Sequence, residues 1–194
     1  VNWETYIAFG DSITIGARTY LGYPELVGSS LSKHLSKQWN IINHSVSGYK
    51  AIDLARYIDL NYASLKEHRA CISTILIGTN DVKANTEVNA FKIALNQIIL
   101  KAKLLTENQN VILLSIPEFP KGVMYPYLIN MNECIRSFNQ EIEKMAQEHK
   151  IRRFDLILTE TDFVDGVHLN QAGIENVSKQ LSTYILKDKG LEIA

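Results

Sequence analysis

The chain has 194 residues, 46% hydrophobic and 21% charged, with 20 Lys plus Arg against 21 Asp plus Glu and a formal net charge of −1. That balance excludes a disordered or fibrous chain and gives no basic excess of the kind a nucleic-acid or polyphosphate partner draws on. A chain this long buries about 70% of its unfolded surface, so it needs no staples, and its length predicts a single domain over residues 1–194.

In chain order, the first predicted strand is Thr5–Gly10, with the apolar run Tyr6-Ile7-Ala8-Phe9. It begins almost at once and leaves no visible signal peptide, which favours a cytoplasmic location, although the chain opens on Val1 rather than Met. Pro24 suits the first turn of a helix carrying Val27, Leu31 and Leu35. A second strand covers Trp39–Val46, and a helix starting near Lys50 carries Ala51, Leu54 and Ile58. The third strand is Cys71–Gly78. The stripe Val88, Phe91, Leu95, Ile98, Ala102 and Leu105 follows it on a helix. A fourth strand spans Asn110–Ile116, before a helix with Ile135, Phe138, Ile142 and Met145. The fifth strand, Ile151–Leu156, is broken by Arg152 and Arg153 and suits a sheet edge; a last helix carries Ile174, Val177, Leu181 and Ile185.

Strand and helix alternate throughout, and the first, third and fourth strands are apolar on both faces. That pattern predicts an α/β fold with a parallel sheet between helical layers. No apolar run reaches the roughly 18 residues of a transmembrane helix. Cys71 and Cys134 have no Cys-x-x-Cys partner and read as buried free thiols. No two His or Cys residues have metal-ligand spacing.

In an open parallel sheet, ligands bind beyond the carboxyl ends of the strands. There the sequence places Asp11-Ser12-Ile13-Thr14, Ser47-Gly48-Tyr49, Thr79-Asn80-Asp81, the loop from Pro117 to Tyr127, and Asp165-Gly166-Val167-His168. A serine hydroxyl needs a base, and the base needs a partner that fixes its tautomer. His168 and Asp165, three residues apart on one loop, suit those two roles. The Ser12 and Gly48 N–H groups and the Asn80 amide are candidate donors for a developing oxyanion. Asp162 is a rival partner for His168. Asp11 and Asp81 read as loop anchors, and Asn170 as the cap of the last helix. His34, His44, His68 and His149 read as structural or solvated. Tyr20, Tyr23, Tyr49, Tyr125 and Tyr127 lie in loops near the rim and are candidates for lining an acyl pocket.

Four blocks resemble those of the SGNH hydrolases, also called GDSL esterases and lipases. They are Phe9-Gly10-Asp11-Ser12-Ile13-Thr14, Asn43-His44-Ser45-Val46-Ser47-Gly48, Gly78-Thr79-Asn80-Asp81 and Asp165-Gly166-Val167-His168-Leu169-Asn170, in the family's order. The resemblance implies Ser12 as nucleophile, His168 as base, Asp165 as its orienting group, and Ser12, Gly48 and Asn80 as the oxyanion hole. It also implies a flavodoxin-like three-layer α/β/α sandwich with strand order 2-1-3-4-5. Ser45 stands where many members have glycine, and Leu169 where many have proline; neither change removes a catalytic group. There is no Gly-x-Ser-x-Gly, so the serine is not on an α/β-hydrolase nucleophile elbow.

The expected activity is a cofactor-independent ester hydrolase that forms an acyl-enzyme, with a short acyl group such as acetyl. Thioesterase and lysophospholipase activities are the neighbouring alternatives. A non-catalytic flavodoxin-like binding domain is a rival, but a receiver would need a lysine that the loop from Thr159 to His168 lacks, and the loop after the first strand fits a flavin phosphate only loosely. The expected partner is a small-molecule ester, with its alcohol half and the oligomeric state left open.

Overall fold

A computed structural model describes residues 3–190. Strands β1 (Trp3–Gly10), β2 (Gln38–Ser45), β3 (Ile72–Leu76), β4 (Val111–Leu114) and β5 (Arg152–Phe154) form one sheet, in the order β2-β1-β3-β4-β5. Every pairing is parallel. The expected order and flavodoxin-like sandwich are therefore present. Tyr6, Ile7, Ala8 and Phe9 of the interior strand β1 are all fully buried, because helices cover both faces of the sheet.

The helices are α1 (Ser12–Ile15), α2 (Tyr23–Leu35), α3 (Ala51–Leu60), α4 (Tyr62–Glu67), α5 (Thr79–Lys83), α6 (Val88–Leu105), α7 (Asn132–His149) and α8 (Gln171–Asp188). Two cores flank the sheet. One packs Leu54 and Ile58 of α3, Phe91, Leu95 and Ile98 of α6 and Phe138 and Ile142 of α7 on Ile7, Phe9, Ile75 and Leu113. The other packs Val27 and Leu31 of α2 and Ile174, Val177 and Leu181 of α8 on Tyr6, Ala8, Ile72 and Ile112. Alternate residues of β1 thus serve opposite layers, as the period of two requires. Phe91 and Phe138 stack at 4.1 Å between ring centres where α6 meets α7.

Arg152 and Arg153 sit on the edge strand as expected, held by Asp188 at 2.8 Å and Asp155 at 2.6 Å. The cysteines depart from expectation. Cys71 and Cys134 are free but only half-buried, because each lies at the margin of a core rather than inside it. Among the described residues no helix is long and apolar enough to cross a membrane.

Candidate active site

Ser12 lies where β1 ends and α1 begins. Asp11 caps that helix, its Oδ1 accepting the Ile13 N–H at 3.0 Å. The capping leaves Ser12 at the first helical position, where an N–H has no partner within the helix. Ser12 Oγ lies 3.0 Å from His168 Nε2. His168 Nδ1 lies 2.7 Å from Asp165 Oδ2. With the Nδ1 proton directed at the carboxylate, Nε2 is free to accept the serine proton.

Asp165 is itself held by backbone. Its Oδ1 accepts from the N–H groups of His168 at 2.7 Å and Val167 at 3.0 Å. Burial raises its pKa, but these two bonds and the His168 ring outweigh burial and hold the carboxyl below its ordinary value. The rival Asp162 has a different task. Its Oδ2 accepts from the Thr159 N–H at 2.7 Å and the Asn176 amide at 3.3 Å, at the base of the hairpin that carries His168.

That hairpin is small. Phe163 and Leu169 form an antiparallel bridge, the Val164 N–H donates to the His168 carbonyl at 2.9 Å and the Asn170 N–H to the Asp162 carbonyl at 2.9 Å. Asn170 caps α8 through the Gly173 N–H at 3.0 Å, as expected. Gly173 permits the contact, since a Cβ there would lie 2.1 Å from the Asp162 carbonyl oxygen.

Gly48 has φ +82, which a glycine adopts without the steric cost of a Cβ. A Cβ built there would meet nothing within 4 Å, so this backbone faces open space. Asn80, 6% exposed, sits in the first turn of α5. Its Nδ2 donates to the Tyr49 carbonyl at 3.0 Å and to Asp11 Oδ2 at 3.4 Å. Both amide hydrogens therefore have internal acceptors, and the longer Asp11 contact is the weaker of the two. Asp81 anchors the neighbouring loop, accepting the Ala51 N–H at the start of α3 at 2.8 Å. The Asn80 loop and the Gly48 loop are thus tied by a carboxylate and an amide in succession. Burial raises Asp11 to about 7, with the Ile13 N–H opposing and the Asp81 charge adding.

The remaining histidines are engaged elsewhere. His34 Nδ1 pairs with the Ser30 carbonyl, His44 Nδ1 with the Tyr57 hydroxyl and His149 Nε2 with Asn96; the His68 ring lies 5.8 Å from that of His44. Of the five tyrosines, Tyr23 is a correction: it is fully buried, its hydroxyl 3.2 Å from Thr14 Oγ1, because it opens α2 on the face that packs with Val27 and Leu31. Tyr49 contributes its carbonyl, and its ring packs on Tyr57. Tyr20 is 95% exposed.

Tyr125 and Tyr127 line a cleft of about 500 Å³ beside His168, together with Arg18, Val164 and Asp165. The Tyr127 hydroxyl lies 3.5 Å from Asn80 Oδ1. Burial, then the charges of Asp11 and Asp165, raise its pKa and keep it a protonated donor. The sequence reading missed Arg18, an exposed loop residue in no motif, whose Nε lies 3.7 Å from Asp165 Oδ2. Among the described residues, no group of three or more His, Cys, Asp and Glu side chains could hold a metal ion.

The arrangement can supply a nucleophilic oxygen, a base in hydrogen-bond reach and a fixed partner for that base. The family model of the GDSL-like lipase/acylhydrolase family matches residues 8–175. Comparison with curated proteins finds no match. Among solved structures, the chain is similar to the acetylxylan esterase Axe2 from Geobacillus stearothermophilus, at 18% identity over 97% of this chain and 95% of that one, with a TM-score of 0.73. It is also similar to the acetyl xylan esterase AlAXEase, at 23% identity over 93% and 99% of the two chains, with a TM-score of 0.75. LAE5, an alpha/beta hydrolase enzyme from the metagenome of Lake Arreo, Spain, is 18% identical over 92% and 93%, with a TM-score of 0.74. At these identities the likeness is one of fold.

Proposed function

As this chain belongs to the GDSL-like lipase/acylhydrolase family and is thereby a carboxylic ester hydrolase, we propose that Ser12, His168 and Asp165 are its catalytic triad and that it cleaves short-acyl esters. The observation that carries this is the continuous relay from Ser12 Oγ through His168 to Asp165, at 3.0 Å and 2.7 Å.

In the proposed cycle, Ser12 Oγ attacks the ester carbonyl carbon while its proton passes to His168 Nε2. The carbonyl π electrons move to oxygen, and the N–H groups of Ser12 and Gly48 and the Asn80 amide stabilise that oxyanion. Asn80 joins by turning one N–H from its longer contact, with Asp11, toward the substrate. The oxyanion re-forms the carbonyl, the alcohol C–O bond breaks, and His168 returns the proton to the leaving oxygen. Water then attacks the Ser12 ester with His168 again as base. The carboxylic acid leaves and the Ser12 hydroxyl is restored. Asp165 stays ionised throughout and stabilises the imidazolium.

The short acyl group draws support from the acetylxylan esterases among the structural neighbours. We further propose that residues 1–194 form one catalytic domain that needs no cofactor. Fluorophosphonate labelling mapped to Ser12 and absent in Ser12→Ala tests the nucleophile. A panel of p-nitrophenyl esters from acetate to decanoate tests the acyl length; kcat/KM is expected to be highest for acetate. An unlabelled Ser12 overturns the triad, and a maximum at long chains overturns the short-acyl assignment.

A further inference from the structure

We propose that the alcohol half of the substrate carries an anionic group, a carboxylate or a phosphate, and that Arg18 receives it in the cleft beside His168. This rests on the ester-hydrolase reading above.

Position comes first. In ester cleavage, the base that accepts the serine proton gives it to the departing oxygen. The departing half must therefore lie against His168 Nε2. The cleft of about 500 Å³ is lined by His168, Asp165, Arg18, Tyr125 and Tyr127, among others. Its lining includes His168 but neither Gly48 nor Asn80, the proposed oxyanion donors, so the half placed in it is the alcohol rather than the acyl group.

The chemistry of the walls comes next. Tyr125, Pro126 and Val164 give the cleft apolar and aromatic surface. Arg18 is the cation set among them. Its nearest acidic atom is Asp165 Oδ2, 3.7 Å from Nε, which is too long for a hydrogen bond. Asp165 is also already committed: Oδ1 takes two backbone N–H groups and Oδ2 takes His168. Among the described residues, no side chain or carbonyl accepts a hydrogen bond from the Arg18 guanidinium. Arg153, by contrast, has two of its donors met by Asp155 Oδ1. Arg18 instead keeps its donors, with a side chain 58% exposed in the wall of the cleft. A planar guanidinium with a free edge binds a carboxylate or a phosphate in a bidentate manner.

The surrounding charge supports the same ligand. Lys83 Nζ lies 5.7 Å from the centre of the Tyr127 ring, and so adds a second positive charge near a residue that lines the cleft. Asp165 is the one carboxylate among the residues that line the cleft, and its charge is met by two N–H groups and the His168 ring.

The test uses three acetate esters of matched shape: 4-acetoxybenzoate, 4-acetoxyphenyl phosphate and neutral 4-acetoxybenzamide. Each is measured on the wild-type chain, Arg18→Gln and Arg18→Lys. Comparing variant with wild type on each ester cancels the intrinsic reactivity of the leaving groups. Arg18→Gln is expected to lower kcat/KM for an anionic ester about tenfold or more beyond its effect on the neutral ester, chiefly through KM. That size follows from the strength of a charge-assisted hydrogen bond. Arg18→Lys is expected to recover part of the loss, and added salt to reduce the wild-type preference. An effect confined to the benzoate assigns a carboxylate, and one confined to the aryl phosphate assigns a phosphate. An equal fall on all three esters overturns the proposal and makes Arg18 a support for Asp165. Failure to cleave any ester, with Ser12 unlabelled by fluorophosphonate, overturns the ester-hydrolase reading and this proposal with it.

Discussion

The Asn80 side-chain amide donates to the backbone carbonyl of Tyr49 over 3.0 Å, so the loop after β3 is fastened to the loop after β2 through the same group proposed to meet the oxyanion. The bond fixes where that amide sits relative to Gly48, whose loop Tyr49 belongs to.

Asn80→Ala is expected to lower kcat about 10²–10³-fold with little change in KM, because an oxyanion bond forms chiefly in the transition state. The variant also strands the Tyr49 carbonyl, so a stability loss of about 1–3 kcal/mol accompanies it. Steady-state kinetics and thermal melting, run together, separate the two. Normal turnover in a variant that melts early would reduce Asn80 to a fastener.

Asp165→Asn is expected to slow kcat by about 10⁴-fold, the size known for that change in a serine triad. It places an amide among three hydrogen-bond donors, the Val167 and His168 N–H groups and the His168 ring. Asp162→Asn is expected to lower the melting temperature with far less effect on the chemical step, since Asp162 holds Thr159 and Asn176 instead. Equal kinetic damage from both variants would contradict the assignment of partner.

Tyr127→Phe removes a hydroxyl that lies a long 3.5 Å from Asn80 Oδ1 and keeps the ring against Phe119. A contact of that length contributes little. The expected loss in kcat is about fivefold or less, with unchanged melting. A loss of 10²-fold or more would mean that the hydroxyl moves closer once substrate binds.

Asp11 offers a test in equilibrium stability. Its folded pKa, about 7, lies above the ordinary carboxylate value of 3.8 because burial penalises the charge. Between those values the folded state holds a proton that the unfolded state has lost. The contribution is therefore fully present below about pH 4 and fades as pH rises through about 7. It amounts to about 4 kcal/mol as an upper bound. Asp11→Asn removes the dependence, so the difference in unfolding free energy between mutant and wild type is expected to change across pH 4–7 and to level off above it. A constant difference, measured by urea titration at several pH values, would place the Asp11 pKa near its ordinary value.

What the sequence revealed follows the range of each interaction. The first, third and fourth strands are apolar on both faces, and Tyr6 to Phe9 can be read as buried without a partner in view. Asp165 and His168 are three residues apart, so their pairing is local and their motif legible. Tyr23 was misjudged because it is the first residue of α2, and the sequence around a helix start gives little sign of which way its first side chain points. Arg18 was invisible because its place in the cleft depends on the loop from Met124 to Tyr127, more than a hundred residues away. The double engagement of the Asn80 amide was equally hidden, since its acceptors, Tyr49 and Asp11, lie 31 and 69 residues off in sequence.

The hairpin from Asp162 to Asn170 carries the proposed base, His168, and its carboxylate partner as one piece, and the serine stands on a different support, 156 residues away. Distances inside the piece are set by its own backbone bonds and by the seat that Gly173 provides. The remaining freedom is therefore the approach of the whole piece to Ser12. Warming or dilute denaturant that loosens this nine-residue unit would widen the serine gap while leaving the imidazole and its carboxylate partner together. The chain would then fall silent as a catalyst before its sheet gives way, and would recover as soon as the unit reseats.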